Sequence, residues 1–550
     1  MGSTTHIGRF WLLAAACITL AVLAPVLTLA AHALQGSTGH WQHLLDYVLP
    51  NAMRNTLLLL LGVGTVTALL GVGSAWLMTA YSFPTRGVLN WALLLPLAVP
   101  TYIVAFAYQD ILHPLGPVQG VIRDVLGYTS PRQFRLPDVR SLGGAIMLLG
   151  LVLYPYVYLS TRAMFATQSA SLLEAGRILG ATRRTVFFRV ALPMARPAIA
   201  VGLSLALLET LNDIGASEFL GVQTLTVSIY TTWVTRSDLA GAAQIALSML
   251  VLVVALIMLE RYGRRRQGYS QNQRSRSMQP QQLTGAAALV AMVLGWLPVL
   301  LGFVAPALYL LAESYKYLHL TGAVSQQLLA SAWSTLYIAL VTTAATLVLA
   351  LVVAWASRSA RSSERQRWQK LFKLASLGYA IPGTVLALGL LLPFVWFDTL
   401  LEQVVALFVE RAPQLLLMGS TTALVTAYCI RFLAIGVGSL EAGLARIPLS
   451  VEQAARLLGE TPGGTLRRVH LPLLRPALGA AALLIFVDTM KELPATLLLR
   501  PMNFETLATW LYAEAARGTY EEGAIAALAI VVAGLLPVIL LARAQFARQS

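Results

Sequence analysis

The chain has 550 residues, of which 57% are apolar and 11% charged, and a formal net charge of +15. Soluble domains run at about 45–50% apolar and about 25% charged, so this composition excludes a string of soluble domains and points to an integral membrane protein. Nor does the positive charge describe a nucleic-acid surface, because the arginines and lysines gather in a few loops between apolar stretches.

A hydrocarbon core about 30 Å thick is crossed by on the order of 20 helical residues. Twelve such spans are read in chain order at 10–31, 54–80, 89–112, 142–162, 197–219, 240–259, 284–312, 333–357, 372–396, 415–438, 476–498 and 524–543. The first span is an uncleaved anchor on this reading, since its apolar stretch exceeds the length of a secretory signal core; Ala31, His32 and Ala33 at its end keep the cleaved alternative open. Cys17 and Cys429 fall inside apolar spans with no metal-type spacing, and read as small buried apolar residues.

Basic residues set the orientation. Arg264, Arg265 and Arg266, the run Arg358, Arg361, Arg365, Arg367 and Lys370, and the group Arg183, Arg184 and Arg189 all fall in loops that share one side of the membrane. The positive-inside rule makes that side cytoplasmic and places both chain ends there. The loop 113–140 is an exception, lying outside although it holds Arg123, Arg132, Arg135 and Arg140. Residues 263–282, basic and rich in Gln and Ser, read as a linker on the cytoplasmic side. It divides a first repeat, 1–262 with its core at about 52–257, from a second, 283–550 with its core at about 331–542. Six spans return the chain to its starting side, so the halves are parallel, and the fold class is an all-α polytopic membrane protein of two six-helix repeats.

The repeat is explicit in the loops. Residues 174–200 pair without a gap with 453–479, at an offset of 279, giving twelve identities in twenty-seven positions. Glu174, Ala175, Gly176 and Gly180 precede Leu192-Pro193 in the first copy; Gln453, Ala454, Ala455 and Gly459 precede Leu471-Pro472 in the second. Asn55-Thr56-Leu57 and Ser334-Thr335-Leu336 match at the same offset, so the flanking spans repeat as well. Within each loop the residues before the glycine favour helix, the glycine breaks it, and a second amphipathic segment leads to Leu-Pro.

This pattern of Glu-Ala-Ala, three residues, Gly and a later Leu-Pro resembles the EAA loop of ABC importer permeases. The chain is thus similar over nearly its whole length to two such subunits fused end to end, with the type I importer permease fold. The resemblance implies that the two loops dock in two ATP-binding cassette subunits at the cytoplasmic face, and that a periplasmic binding protein delivers the cargo. It implies a bacterial inner-membrane location and a lipid bilayer, not nucleic acid, as surroundings. The chain has no Gly-x-x-x-x-Gly-Lys-[Ser/Thr] phosphate loop and no Gly-Lys pair. It therefore holds no cofactor on this reading and is not an enzyme; ATP and Mg bind the partner subunits. Gln453 stands where the motif has Glu, with Glu452 beside it.

Ionisable residues inside spans are costly and are functional candidates by default. Glu209 and Asp213 close span five, while Asp488 and Glu492, with Lys491 between them, close span eleven at the same offset. Spaced i and i+4, each pair is expected on one helix face, as a pathway lining that favours a cation. The alternative is that these carboxylates brace helix ends; no metal ligand is assigned. The run from Lys491 to Pro501, with Asn503 to Thr509, resembles the eleventh span of fused iron(III) permeases, which makes iron(III) the expected cargo. Relatives for thiamine, polyamines or sulfate share the loop. The rival from another class is a proton-coupled secondary transporter of the major facilitator type. Its acidic loop between spans two and three has no counterpart in Tyr81 to Gly87 (YSFPTRG).

Overall fold

A computed structural model describes residues 3–35, 41–167, 182–264, 280–359, 372–407 and 416–546. The first repeat comprises α1 (Ser3–Gln35), α2 (Leu49–Ala80), α3 (Arg86–Ala92), α4 (Thr101–Ile111), α5 (Pro117–Leu126), α6 (Leu142–Thr167), α7 (Leu192–Asn212), α8 (Gly215–Phe219), α9 (Leu225–Val234) and α10 (Leu239–Arg264). The second comprises α11 (Gly285–Val299), α12 (Ala305–Thr321), α13 (Gln326–Ser359), α14 (Gly383–Val405), α15 (Thr421–Ala445), α16 (Leu449–Leu457), α17 (Leu471–Met490), α18 (Pro494–Leu499), α19 (Leu507–Arg517) and α20 (Tyr520–Phe546). Two two-residue strands, β1 (Tyr81–Ser82) and β2 (Gln281–Gln282), pair in parallel.

Among the described residues eleven helices are long and apolar enough to cross a membrane, and a pair bent by 92°, Arg86–Ala98 with Thr101–Ile111, brings the number to twelve. The expected third span is therefore broken. Pro100 has no N–H to continue a helix and pushes Val99 into the extended region, at φ −106° and ψ 116°. Pro382 does the same after Ile381, so the ninth span begins at Gly383 and runs on to Val405 instead of occupying 372–396. Spans five and eleven also stop short of their expected ends, at Asn212 and Met490.

Four described π-turns share one cause. They cover Leu44–Val48, Phe187–Ala191, Leu300–Val304 and Leu466–His470, and each is followed two residues later by a proline: Pro50, Pro193, Pro306 and Pro472. A proline inside a helix lacks the N–H and clashes with the carbonyl four residues back. Widening the preceding turn relieves the clash while the helix continues, as where Leu192 N donates to Phe187 O and Leu471 N to Leu466 O. The repeated Leu-Pro pairs thus mark places where a loop enters a span without a kink-breaking gap.

The described chain forms two compact units that do not follow the division at 1–262 and 283–550. One takes Met1–Gln42, Ile229–Leu247 and Val324–Trp510; the other takes His43–Ser228, Ser248–Ala323 and Leu511–Ser550. In the first unit α13, α15 and α17 pack side by side, with Gly436 against Ala350 and Gly443 against Leu474 and Ala477. Lipid tails are as apolar as leucine, so small residues that let backbones approach supply the packing. The helix α1 joins this unit through Ala15, Thr19, Val22, Pro25 and Leu29, one buried stripe, with Thr28 Oγ1 donating to Gly389 O at 2.5 Å. Its opposite stripe, Leu13, Leu20, Leu27 and Leu34, is at least 60% exposed, as hydrocarbon-facing leucines are in a bilayer.

In the other unit α2 and α7 pack on α6. A side chain at Gly71 would stand 2.6 Å from Val157 Cβ, and one at Gly202 2.7 Å from Val157 Cα. Helices α11, α12 and α20, from the second repeat, complete this unit: Tyr108 Oη donates to Leu301 O at 2.7 Å and Tyr309 Oη to Asp110 Oδ2 at 2.6 Å. Each repeat core is thus closed by a first span from the other half of the sequence. The repeated threonines also do one job twice. Thr56 Oγ1 accepts Leu225 N at 2.9 Å and Thr335 Oγ1 accepts Leu507 N at 2.8 Å, so each ties down the start of the helix that follows it in space.

Candidate functional site

The second repeated loop lies wholly within the described residues and has the helix, break, helix form that its sequence implies. Helix α16 ends at a glycine in the left-handed region, Gly459 at φ 85°, and Glu460 N reaches back to Ala455 O at 3.0 Å. That six-to-one bond closes a Schellman-type helix end, which needs the conformation glycine adopts without cost. Thr461 then opens the next turn, its Oγ1 accepting Gly464 N at 3.1 Å. Gln453 and Ala454 are exposed and Ala455 is buried; Leu471 and Pro472 continue into α17. In the first loop Leu192 and Pro193 enter α7 in the same way, whereas Glu174, Ala175, Gly176 and Gly180 lie outside the described residues.

Glu452, next to the exposed Gln453, turns inward. Arg358 Nε donates to its Oε1 at 2.7 Å, while Nη1 and Nη2 of the same guanidinium hold Leu444 O and Ile447 O at 2.6 and 2.7 Å. The His470 ring, fully buried, stands edge-on to Trp355 with centroids 4.9 Å apart. Its Nε2 is 3.2 Å from Glu452 Oε1 and its Nδ1 3.2 Å from Thr465 O. Arg358, Glu452 and His470 therefore fasten the loop helix α16 to the ends of α13 and α17. At the offset of 279 the first repeat has Thr79, Leu173 and Ala191 in their places, so these three charged and aromatic groups have no residue-for-residue counterpart there. Sequence reasoning passed over Arg358, counted as a topology charge, and His470. The signal was there in a histidine facing an alanine across the repeat.

Of the carboxylates, neither Asp213 nor Glu492 shares a helix face with its partner four residues earlier. Both lie past the end of the preceding helix, Asp213 at φ −71° and ψ 123° and Glu492 beyond Lys491, the residue that caps α17. The expected i, i+4 face is thereby corrected, and the reason is local. Asp213 caps α8, accepting Ser217 N at 2.8 Å, Ser217 Oγ at 3.0 Å and Ala216 N at 3.4 Å, with Thr101 Oγ1 at 2.7 Å. Glu492 caps α18 in the same manner, accepting Ala495 N at 3.1 Å, Thr496 N at 3.2 Å and Thr496 Oγ1 at 2.9 Å. Such caps are worth about 1 kcal/mol each.

The two caps are built by different residues to the same end. Thr101, the first residue after Pro100, supplies a hydroxyl to the shorter Asp213. Gly383, the first after Pro382, leaves room for the longer Glu492: a Cβ there would stand 2.7 Å from Glu492 Oε1 and from Arg431 Nη1. Arg431, buried in α15, lies 3.8 Å from Glu492 and had not been singled out from the sequence; its counterpart in the first repeat is Val152. Glu209 is half-buried, and Asp488 is paired with Lys491 at 2.8 Å, both partly exposed. Among the described residues no group of three His, Cys, Asp or Glu side chains is placed to hold a metal ion.

Asp213→Ala and Glu492→Ala are expected to lower thermal stability by about 1–3 kcal/mol, because each leaves buried donors unmatched. Asp213→Asn, which still caps, should cost less than half as much. Unfolding in detergent checks this; an equal loss for Ala and Asn would remove the capping role.

The chain matches, over residues 67–269, the family described as binding-protein-dependent transport system inner membrane component. It is 25% identical over 501 residues to an Fe(3+)-transport system permease protein of Haemophilus influenzae, covering 90% of each chain. It is 30% identical to a permease of Salmonella choleraesuis named for 2-aminoethylphosphonate transport, over 47% of this chain and 93% of that one. A molybdenum transport system permease protein of Escherichia coli is also 30% identical, over 35% of this chain and 88% of its own length.

Proposed function

Because the chain belongs to the family of binding-protein-dependent transport system inner membrane components, and so is a multi-pass permease of an ABC importer, we propose that it serves as both membrane subunits of one importer for iron(III). In this reading two ATP-binding cassette subunits each engage one repeated loop, around Gly180 and Gly459. A periplasmic binding protein delivers the cargo on the opposite face. Both chain ends are cytoplasmic, as the basic loops require, and ATP with Mg binds the partners.

The observation that carries the iron reading is the match along 90% of both chains to an Fe(3+) permease, where the phosphonate and molybdenum relatives align with less than half of this chain. Asp213 and Glu492 support a gating role over a ligating one. Their oxygens are committed to helix caps, so cargo recognition falls to the binding protein, and the carboxylates shape the helix ends through which the spans move. Asp488 and Lys491, partly exposed, remain the candidates for a polar pathway lining.

Uptake of radiolabelled iron(III) by cells carrying the chain with its ATP-binding and binding-protein partners tests the proposal. Accumulation that stops when the chain is deleted supports it. Accumulation of molybdate or a phosphonate instead, with iron unaffected, would replace iron by an oxyanion cargo while leaving the permease role intact.

A further inference from the structure

The segment 113–140, whose arginines run against the charge rule that orients the other loops, contains a helix with its faces reversed. In α5 the polar residues Gln119 and Arg123, spaced i and i+4, are buried. Val118, Val121, Ile122 and Val125, at i, i+3, i+4 and i+7, form an aliphatic stripe on another side. Within it Val121 and Val125, with Leu115 just before the helix, are 62–80% exposed. A surface helix in water shows the opposite arrangement, polar side out.

The reversal is held by the segment's own hydrogen bonds. Gln119 Nε2 donates to Leu112 O at 2.8 Å and its Oε1 accepts Leu136 N at 3.1 Å, so one side chain ties the helix to the chain before and after it. Arg123 Nη1 donates to Pro114 O at 2.7 Å. Gly127, at φ 74°, lets Tyr128 N close on Arg123 O at 2.8 Å, and the Tyr128 ring stacks on Phe134 with centroids 6.4 Å apart. Arg132, Arg135 and Arg140 follow, all exposed. The second repeat uses the device again at the offset of 279. There Asp398, buried in the place of Gln119, accepts Leu416 N, Leu417 N and Met418 N at 3.0, 2.7 and 2.8 Å. Leu400 and Val404, in the places of Val121 and Val125, are exposed.

We propose that α5 and the turn after it dock on an anionic phospholipid leaflet, with the aliphatic stripe among the acyl chains and Arg132 and Arg135 at the headgroup phosphates. Position favours lipid over a protein partner. The helix lies between the end of α4 and the start of α6, at the ends of these helices away from the repeated loop, so the nearest apolar solvent is the bilayer they cross. A helix lying in the interface gains from buried aliphatic area and from attraction of its basic residues to anionic lipid, and aromatic rings such as Tyr128 and Phe134 are enriched at that level. Arginines outnumber aspartates four to two in the segment, which sets the sign of the attraction. Asp124, exposed and outside the stripe, marks the side left to water. The segment is extracytoplasmic on the topology proposed above, but its docking on lipid rests on the spans and not on that sidedness.

The test uses the full chain in nanodiscs of phosphatidylcholine with phosphatidylglycerol. Cys17→Ser and Cys429→Ser form the background, and one fluorophore is placed on Val121→Cys, Val125→Cys or Asp124→Cys. Labels at 121 and 125 are expected to lose emission to doxyl-labelled lipid and to be shielded from iodide, and the label at 124 to show the reverse. Nanodiscs open both faces to iodide, so the depth that is read does not depend on topology. Arg132→Gln with Arg135→Gln should weaken lipid quenching at 125 to the level the parent shows in phosphatidylcholine alone. The proposal is overturned if iodide reaches 125 as freely as 124, or if lipid quenching at 125 is the same with and without the two arginines. It is also overturned if the label at 125 becomes shielded only when the periplasmic binding protein is added, which would make this face a dock for that protein.

Discussion

Gly459→Val is expected to abolish ATP-driven uptake, a loss of at least tenfold, while the protein still inserts into the membrane and purifies as the parent does. The glycine sits at φ 85°, where a β-branched residue pays roughly 1–2 kcal/mol for its Cβ. Nothing stands within 4 Å of the position that a Cβ would take, so the cost is one of backbone conformation and not of a clash in the core. The chain escapes it by leaving the left-handed region, which breaks the Glu460 N to Ala455 O closure and re-aims everything between α16 and Pro462. A loop whose role is to fit a partner's groove loses that fit when its corner opens. Gly459→Asn, which tolerates the left-handed region, should retain most of the uptake. Gly463→Ala, also without a neighbour within 4 Å, should retain all of it. Reconstitution with the ATP-binding partner, reading uptake and partner retention together, makes the comparison. Normal uptake by the valine variant would remove the coupling role assigned to this loop.

What the sequence made legible and what it hid follow from the range of the forces concerned. The spans are visible because a bilayer requires a helix of fixed length to be apolar throughout, and the loop at Gly459 is visible because a left-handed residue after a helix all but requires glycine. Spans five and eleven are read too long because apolar residues recur past their ends, Ile214, Phe219 and Leu220 after Asn212 and Leu493, Leu497 and Leu498 after Met490. What stops the helices is the side chains of Asp213 and Glu492 turning to cap the next short helix, a choice that no hydropathy pattern records. The exchange of first spans between repeat cores was illegible for a different reason. Leu13, Leu20, Leu27 and Leu34 on one face of α1 and Ala15, Val22 and Leu29 on the other are all apolar, so the sequence does not distinguish the lipid-facing stripe from the buried one. Packing in a membrane is decided by shape, here by Gly389 admitting Pro25 and Thr28, and shape complementarity across 361 residues is not a local signal.

Divergence between the two repeats is concentrated in charge. The backbone devices recur: the π-turn before Leu-Pro, the carboxylate cap, the threonine that ties a later helix. The ionic devices do not, since Arg358, Arg431, Glu452 and His470 face Thr79, Val152, Leu173 and Ala191 at the offset of 279. Geometry that two identical mechanical roles need has been kept in both halves, while these charges of the second repeat have no residue-for-residue counterpart in the first.

That asymmetry gives the second large effect. Arg358→Ala is expected to uncouple the second loop, because it leaves Glu452 buried beside a weaker partner and frees Leu444 O and Ile447 O; breaking a buried ion pair from one side costs about 3–5 kcal/mol. Glu452→Gln should cost less, since the amide keeps its shape and can still accept from Arg358 through its oxygen. Measured as a double-mutant cycle in thermal stability, Arg358→Ala and Glu452→Ala together should lose less than the sum of the two alone, as partners do. His470 gives the same carboxylate a second neighbour, its ring nitrogens lying 3.2 Å from Glu452 Oε1 and from Thr465 O. His470→Ala is therefore expected to lower thermal stability and coupled uptake by less than Arg358→Ala does, because the guanidinium still holds Glu452, Leu444 O and Ile447 O. Unchanged stability and uptake in His470→Ala would leave Arg358 alone to fasten the loop.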